Sequence, residues 1–180
     1  MAKEHALIEI EKKFLVRSLW GQSDSISLIE QGYLFIEKDK SLRVRHHNDS
    51  YFLSLKIGKS ENERFEFESE IEEEEGKFLL EKHCISNVIS KIRHIVHHDN
   101  NRWEIDVFKG ENQHLIIAEI ELNGADEMFL QPPWLGPEVT LQNRYLNSHL
   151  SLKPFSKWGI NYEKLLLKES ENNENSSSSS

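Results

Sequence analysis

The sequence lacks the cysteine pairs that would form disulfides and the apolar segments that would direct a protein to a membrane or across it. Its single cysteine, Cys84, excludes an internal disulfide and fits a reducing environment. The first residues, Met1 to His5, lack the apolar core of a signal peptide, and no segment approaches the roughly 18 apolar residues of a membrane-spanning helix. We therefore expect a cytoplasmic protein with no membrane partner.

Positive charge is also scarce. The chain has 22 Lys and Arg residues against 31 Asp and Glu residues, which gives a formal net charge of −9. Because a general nucleic-acid-binding surface must be basic, this balance argues against a nucleic-acid partner. The sequence also lacks the Gly-x-x-x-x-Gly-Lys loop whose backbone holds phosphates in many nucleotide-binding proteins. Any phosphate bound by this chain must therefore be held by side chains.

Short apolar stretches separated by turn residues make up most of the chain. They predict eight strands, at Leu7–Leu15, Ile29–Ile36, Leu42–His46, Tyr51–Ile57, Arg64–Ile71, Ser90–His97, Arg102–Phe108 and Leu115–Leu122. Short turns such as Asn48-Asp49-Ser50 favour antiparallel neighbours. Helices are predicted at Glu73–Cys84, Leu141–Leu150 and Ser156–Lys168. We expect one domain over residues 1–168 and a disordered Asn-, Glu- and Ser-rich tail over residues 169–180.

Charged residues occupy alternate positions in these strands. Because successive side chains of a strand point to opposite faces, Glu9, Glu11 and Lys13 share one face. The pattern recurs in the later strands, with Arg43, Arg45, Lys56, Arg64, Glu66, Glu68, Lys91, Arg93, Glu104, Asp106, Glu119 and Glu121. The opposite faces are apolar and must be buried, and the late helices are the predicted elements that could cover them.

Two architectures satisfy this pattern. The sheet could stay open, with helices on its apolar face and water on its charged face, or it could close so that the charged face lines an interior. Periodicity alone does not separate them. The type of charge does favour one, because arginines suit phosphate and grouped carboxylates suit divalent cations. The sequence therefore predicts an α+β fold: an eight-stranded antiparallel closed β-barrel with a charged interior and helices packed outside.

The order of these motifs resembles that of a known family. Glu9-x-Glu11-x-Lys13 is similar to the ExExK signature of the CYTH superfamily, also called triphosphate tunnel metalloenzymes. The resemblance spans about Leu7 to Leu152, and its further motifs are Gln31-Gly32-Tyr33-Leu34, Arg43-Val44-Arg45, Leu53-Ser54-Leu55-Lys56, Arg64-Phe65-Glu66-Phe67-Glu68, Lys91-Ile92-Arg93, Trp103-Glu104-Ile105-Asp106 and Ala118-Glu119-Ile120-Glu121. The stretch Pro133 to Thr140, followed by Asn143 to Asn147, resembles the compact bacterial branch that hydrolyses inorganic tripolyphosphate.

The resemblance implies a tunnel that binds a triphosphate and hydrolyses it with Mg²⁺ or Mn²⁺. Lys13 and Tyr33 match the positions that would activate the nucleophile. The implied phosphate ligands are Arg43, Arg45, Lys56, Arg64, Lys91 and Arg93. The implied metal ligands are Glu9, Glu11, Glu119 and Glu121, with Glu66, Glu68 and Asp106 as candidates for a second site. The substrate would be a small triphosphate, and the protein a monomer or homodimer.

Other functions fit the same residues. An adenylate cyclase or thiamine triphosphatase of this superfamily would use the same tunnel, although the sequence has no evident cluster to hold an organic group. A non-catalytic polyphosphate or nucleotide binder is a further alternative, but so many carboxylates would weaken anion binding unless metals neutralised them. Glu104 and Glu70 fit either the site or a solvated strand end. The pairs His46-His47 and His97-His98 lie beside predicted turns, where histidines are more often solvated than bound to zinc.

Overall fold

The structure is a computed structural model that describes residues 10–58, 64–124 and 127–177. Glu9 lies outside the described residues, and only the backbone of Arg64 is described. The strands are β1 (Ile10–Val16), β2 (Ser25–Ile36), β3 (Lys40–His47), β4 (Ser50–Gly58), β5 (Arg64–Ile71), β6 (Ile89–His98), β7 (Asn101–Phe108), β8 (Ile116–Leu122) and β9 (Leu135–Glu138). The helices are α1 (Glu73–Lys82), α2 (Asn147–Leu152) and α3 (Tyr162–Ser177), with short 3-10 turns at Gly110–Asn112, Asn143–Tyr145 and Phe155–Lys157.

The nine strands form one antiparallel sheet in the order β5-β4-β3-β2-β6-β7-β8-β1-β9. Among the described residues, no hydrogen-bonded pairing joins β5 at one edge to β9 at the other. The prediction of an eight-stranded closed barrel is therefore wrong on two counts, since the sheet has nine strands and is open. Alternation along a strand indicates which side chains share a face, but closure depends on contacts between distant edges that strand periodicity does not report.

The open sheet is nevertheless strongly curved around its charged face. β1 and β2 are four strand positions apart in the sheet, which corresponds to roughly 19 Å in a flat sheet. The charge of Lys13 on β1 still acts on the phenol of Tyr33 on β2. Arg93 of β6 also reaches past β7, with its Nη2 3.2 Å from Oε2 of Glu119 on β8. These interactions between non-adjacent strands indicate that the charged face is concave.

The outer, convex face carries an aromatic core over β1, β7 and β8. Trp103 is fully buried there, with edge-on contacts to Phe14, Phe129 and Trp134 at ring-centroid distances of 5.9, 5.6 and 5.3 Å. Further along the sheet, α1 packs its Leu80 beside Val44 and Tyr51. The outer face is therefore covered by α1 and by the segment that contains Phe129 and Trp134.

The C-terminal elements lie on the concave side. Leu15, Phe108 and Ile117 alternate in phase with the charged residues of their strands, and they pack with Leu150 of α2 and Leu165 of α3. The expectation that the late helices cover the apolar outer face is therefore wrong. These helices bury an apolar band at one end of the charged face, and so they fill one end of its hollow.

The sequence predicted the hairpin turns more accurately than the C-terminal strand and helices. Asn48 and Asp99 adopt the left-handed backbone, each with φ of 54°, in the predicted turns of the β3–β4 and β6–β7 hairpins. The segment around Gly136-Pro137 lies outside the predicted strands and forms edge strand β9, where proline is tolerated because one side needs no ladder hydrogen bond. The helix predicted at Leu141–Leu150 is instead a 3-10 turn followed by α2.

Helix α3 differs from its predicted bounds in a way that involves the tail. It begins at Tyr162, six residues after the predicted start at Ser156, and continues to Ser177 through residues expected to be disordered. Glu169 explains the extension, because its buried side chain accepts hydrogen bonds from Gln142 and Tyr145. No helix in the described ranges is long and apolar enough to cross a membrane.

Candidate functional site

The strand registers bring the predicted site residues to the concave face. Glu11 and Lys13 of β1 are opposite Glu121 and Glu119 of β8, and Arg93 of β6 is opposite Asp106 of β7. Across the sheet, Arg43 and Arg45 of β3 lie between Tyr33 and Gln31 of β2 and residues Ser54 and Phe52 of β4. Lys56 is opposite Glu66, and Ser54 is opposite Glu68. One half of the face is thus built by β1 and β6–β8, and the other by β2–β5.

Lys13 lies between two carboxylates in the first half. Its Nζ is 2.5 Å from Oε1 of Glu119 and 2.8 Å from Oε1 of Glu11. Burial alone would lower the pKa of Lys13, but the two carboxylates outweigh burial and hold this pKa above its ordinary value. The ammonium form is therefore strongly favoured in the protein without metal.

This arrangement shifts the pKa values of Glu11 and Glu119 in opposite directions. Burial and the charge of Glu119 raise the pKa of Glu11 from 4.5 to about 7. Burial would also raise the pKa of Glu119, but Lys13, Lys91 and Arg93 hold it below the usual range. The pair therefore carries its first negative charge on Glu119, and Glu11 holds a proton until near neutral pH.

A buried ion-pair network continues from Glu119 into β6 and β7. Asp106 pairs with Lys91, and its two oxygens accept hydrogen bonds of 2.7 Å from Nε and Nη2 of Arg93. Arg93 also pairs with Glu104, and its Nη2 lies 3.2 Å from Oε2 of Glu119. Both oxygens of Asp106 are thus already engaged by cations, so this carboxylate holds Lys91 and Arg93 in place.

The other half of the face has guanidinium groups with unused donors. Arg43 makes only long ion pairs, 3.6 Å to Glu66 and 3.8 Å to Glu68. Glu66 is closer to Lys56, at 2.9 Å, and Glu68 accepts a hydrogen bond from the buried hydroxyl of Ser54. The Nε atoms of Arg43 and Arg45 are buried, and neither has a hydrogen-bond partner among the described residues. Because an unpaired buried donor is costly, these two groups indicate an anionic ligand.

Tyr33 lies beside these arginines at a bulge between β2 and β3. Its hydroxyl is 3.4 Å from the side-chain amide nitrogen of the buried Gln31. Burial raises the pKa of Tyr33, while the charges of Arg43 and Lys13 act in the opposite direction without cancelling that effect. The phenol is therefore protonated at neutral pH and can donate a hydrogen bond.

Carboxylates line a pocket of about 230 Å³ at the open end of the first half, which includes Glu11, Glu104, Glu119, Glu121 and Glu127. Within the described ranges, no three acidic, His or Cys side chains converge into a ready-made metal site. The donor set still fits a hard divalent cation, because such ions prefer carboxylate oxygens. A cation there would also relieve the repulsion between Glu11 and Glu119, which adds to the effect of burial in raising the pKa of Glu11.

Four members of the site were not assigned to it from the sequence. Glu104 was left open between site and solvent, and the structure pairs it with Arg93 and Arg102. Its two-residue spacing from Asp106 was the available signal. Ser54 and Gln31 sit in phase with the predicted arginine neighbours, but a neutral side chain in a strand carries little signal. Glu127 comes from an irregular segment, where alternation gives no information.

Comparisons with known proteins agree with this geometry. Residues 7–153 match the family model of the CYTH domain. The chain is 43% identical over 148 residues to an inorganic triphosphatase of Acetivibrio thermocellus, which covers 82% of this chain and 95% of that protein. It is 33% identical over 158 residues to an inorganic triphosphatase of Nitrosomonas europaea, covering 81% of this chain and 98% of that one. The solved structure of inorganic triphosphatase NE1496 superposes with a TM-score of 0.64 at 33% identity, covering 80% of this chain and 94% of that structure. This chain therefore belongs to the CYTH domain family.

Proposed function

We propose that this protein is a metal-dependent hydrolase of a triphosphate, with inorganic tripolyphosphate as its substrate. The observation that carries the proposal is the pair of buried, unpaired guanidinium Nε atoms of Arg43 and Arg45 on the same concave face as the carboxylate pocket. A linear triphosphate needs cationic side chains, and its metal counter-ions need carboxylates. The two relatives named inorganic triphosphatase support the same chemistry.

The cationic side chains of the concave face fall into two sets, which differ in how readily they could bind phosphate. Among the described residues, Arg43 has only long ion pairs, Lys56 has one carboxylate partner, and the Nε of Arg45 is unpaired, so these side chains can turn to phosphate at little cost. Lys91 and Arg93 both form ion pairs with Asp106, and Arg93 forms a further one with Glu119. We therefore assign the principal phosphate contacts to the first three, with Arg64 beside them, and a supporting cationic field to Lys91 and Arg93.

We assign the principal metal site to Glu9, Glu11, Glu119 and Glu121, and a second one to Glu66 and Glu68. In this arrangement Asp106 contributes by positioning cations, because its oxygens are taken by Lys91 and Arg93. A bound Mg²⁺ or Mn²⁺ would offset the negative charge of the phosphates and of the transition state. Both metals prefer oxygen donors, so the donor set alone favours neither.

Lys13 and Tyr33 are proposed to orient and activate the attacking water. A protonated Lys13 cannot accept a proton, and its pKa is held high by Glu11 and Glu119. Whatever neutralises these carboxylates lowers the pKa of Lys13 towards the value that a general base requires. Tyr33 remains a hydrogen-bond donor in this proposal, because its own pKa is raised.

A phosphate-release assay tests the proposal and separates it from its alternatives. Tripolyphosphate, ATP and thiamine triphosphate are compared with Mg²⁺, with Mn²⁺ and with a chelator, while pyrophosphate and cyclic AMP are measured in parallel. We expect tripolyphosphate to be the best substrate, turnover to stop in chelator and either metal to restore it. Release of cyclic AMP from ATP would identify a cyclase. Full activity in chelator, or no hydrolysis of any triphosphate, would refute the proposal.

A further inference from the structure

His47 has no role in the site described so far, yet it lies on the concave face. In the β2–β3–β4 registers, His47 is opposite Ile29 and Ser50, two residues beyond Arg45 and four beyond Arg43. Alternation along β3 therefore gives Arg43, Arg45 and His47 a common face. The three positions form a row roughly 13 Å long, at about 3.3 Å per residue.

The electrostatic neighbours of His47 confirm its orientation. The charges that act on its ring come from Arg93 of β6, Glu104 of β7 and Glu68 of β5, which belong to both halves of the concave face, and from the adjacent His46. His46 itself points outward: its ring stacks on Tyr51 at 4.3 Å, with an interplanar angle of 9°, and lies 3.7 Å from Glu30. Two adjacent histidines thus face opposite sides of the sheet.

The ring of His47 is half-buried and makes no hydrogen bond to another described residue. Burial is the main influence that lowers its pKa, and the charge of Arg93 adds to it, against the opposing effect of Glu104 and Glu68. In the protein without ligand, these influences together favour the uncharged imidazole. His47 occupies the position at which a third cation would extend the row formed by Arg43 and Arg45.

We propose that His47 is a substrate-specificity residue, which contacts the end phosphate of the bound chain and limits the length of polyphosphate that the concave face accepts. This inference rests on the proposed function. Arg43 and Arg45 attract phosphates through full charges. His47 adds one hydrogen bond at the end of the row but no permanent charge, so a further phosphate beyond that point gains little attraction.

The test compares Michaelis constants for linear tripolyphosphate and tetrapolyphosphate in matched variants. His47→Ala and His47→Gln remove the imidazole, while His47→Arg extends the charged row. His46→Ala, His46→Gln and His46→Arg make the same changes on the opposite face of the same strand and serve as controls. Thermal melting of each variant verifies that it folds, and two different replacements at position 47 allow for the failure of one.

We expect His47→Ala and His47→Gln to raise the KM for tripolyphosphate by about tenfold, with kcat within about twofold, since one hydrogen bond to a charged group is lost. His47→Arg should lower the KM for tetrapolyphosphate at least severalfold relative to that for tripolyphosphate. The His46 variants should leave the ratio of the two constants unchanged. If the wild type hydrolyses tripolyphosphate but the ratio is the same in all His47 variants, His47 has no role in specificity. If the wild type hydrolyses neither compound, the proposed function itself fails.

Discussion

At the scale of single residues, Lys13 and a proton on Glu11 together reduce the repulsion between the buried carboxylates of Glu11 and Glu119. One ammonium group serves Glu11 and Glu119 together, and Glu11 keeps its proton up to a pH of about 7. The site therefore holds a proton and a lysine where the proposed function requires a divalent cation. Binding of the cation should release that proton, so metal affinity should fall as the pH drops below about 7.

The variant Glu11→Gln should reveal the raised pKa of Glu11 in the protein without metal. The pKa of Glu11 is about 7 in the native state against 4.5 ordinarily. Between these values the unfolded chain loses the proton first, so ionisation of Glu11 lowers the free energy of unfolding as the pH rises. Glutamine removes this titration. In chelator, the melting temperature of the variant minus that of the wild type should therefore increase from about pH 5 to about pH 8.

Glu74→Gln on the exposed face of α1 is the matched control, because it removes one carboxylate far from the site. Its melting difference from the wild type should vary much less over the same interval. A Glu11→Gln difference that does not change with pH would show that the pKa of Glu11 is not raised in the native protein.

At the scale of elements, strand alternation predicted which charged side chains share a face, whereas helix packing could not be predicted. Every described charged residue of the proposed site lies on the predicted face, because the two-residue repeat of a strand is set by the local backbone. Leu15 and Ile117 share that face and recruit α2 and α3 to it. Apolar residues in phase with charged ones carry no sequence signal to say which layer will bury them.

The C-terminal half of α3 yields a prediction of its own. Glu169 is buried with 1% exposure, and it accepts hydrogen bonds of 2.7 Å from Gln142 and 3.1 Å from Tyr145 and pairs with Arg144. Glu169→Ala leaves these donors without their acceptor, which should cost about 2–3 kcal/mol. For a chain of this size, the melting temperature should fall by roughly 5–10 °C.

Glu171→Ala, two residues further along the same helix on an exposed position, is the control and should melt within about 1–2 °C of the wild type. Equal melting of the Glu169 and Glu171 variants would mean that the end of α3 does not depend on this buried anchor.

At the scale of the whole molecule, the sequence predicted a charged interior but not the shape that encloses it. Strand alternation correctly grouped the arginines and carboxylates on one face, whereas closure into a barrel did not follow from it. An open sheet can still surround a ligand, because its curvature brings β1 towards β2 across the hollow. The ninth strand lies in a segment with Gly136 and Pro137, whose composition resembles that of a loop.

The central claim is that a single concave face binds a divalent cation and a triphosphate together. The most direct test is thermal melting with Mg²⁺ alone, with a triphosphate analogue whose P–N–P linkages resist hydrolysis, and with both. A ligand that binds only the native state stabilises it by about 2.7 kcal/mol at a hundredfold excess over its Kd. Because a cation held by the carboxylates would relieve their repulsion and offset the negative charge of the phosphates, the shift with both ligands should exceed the sum of the two separate shifts. Shifts that are strictly additive, or absent at saturating ligand, would contradict the account.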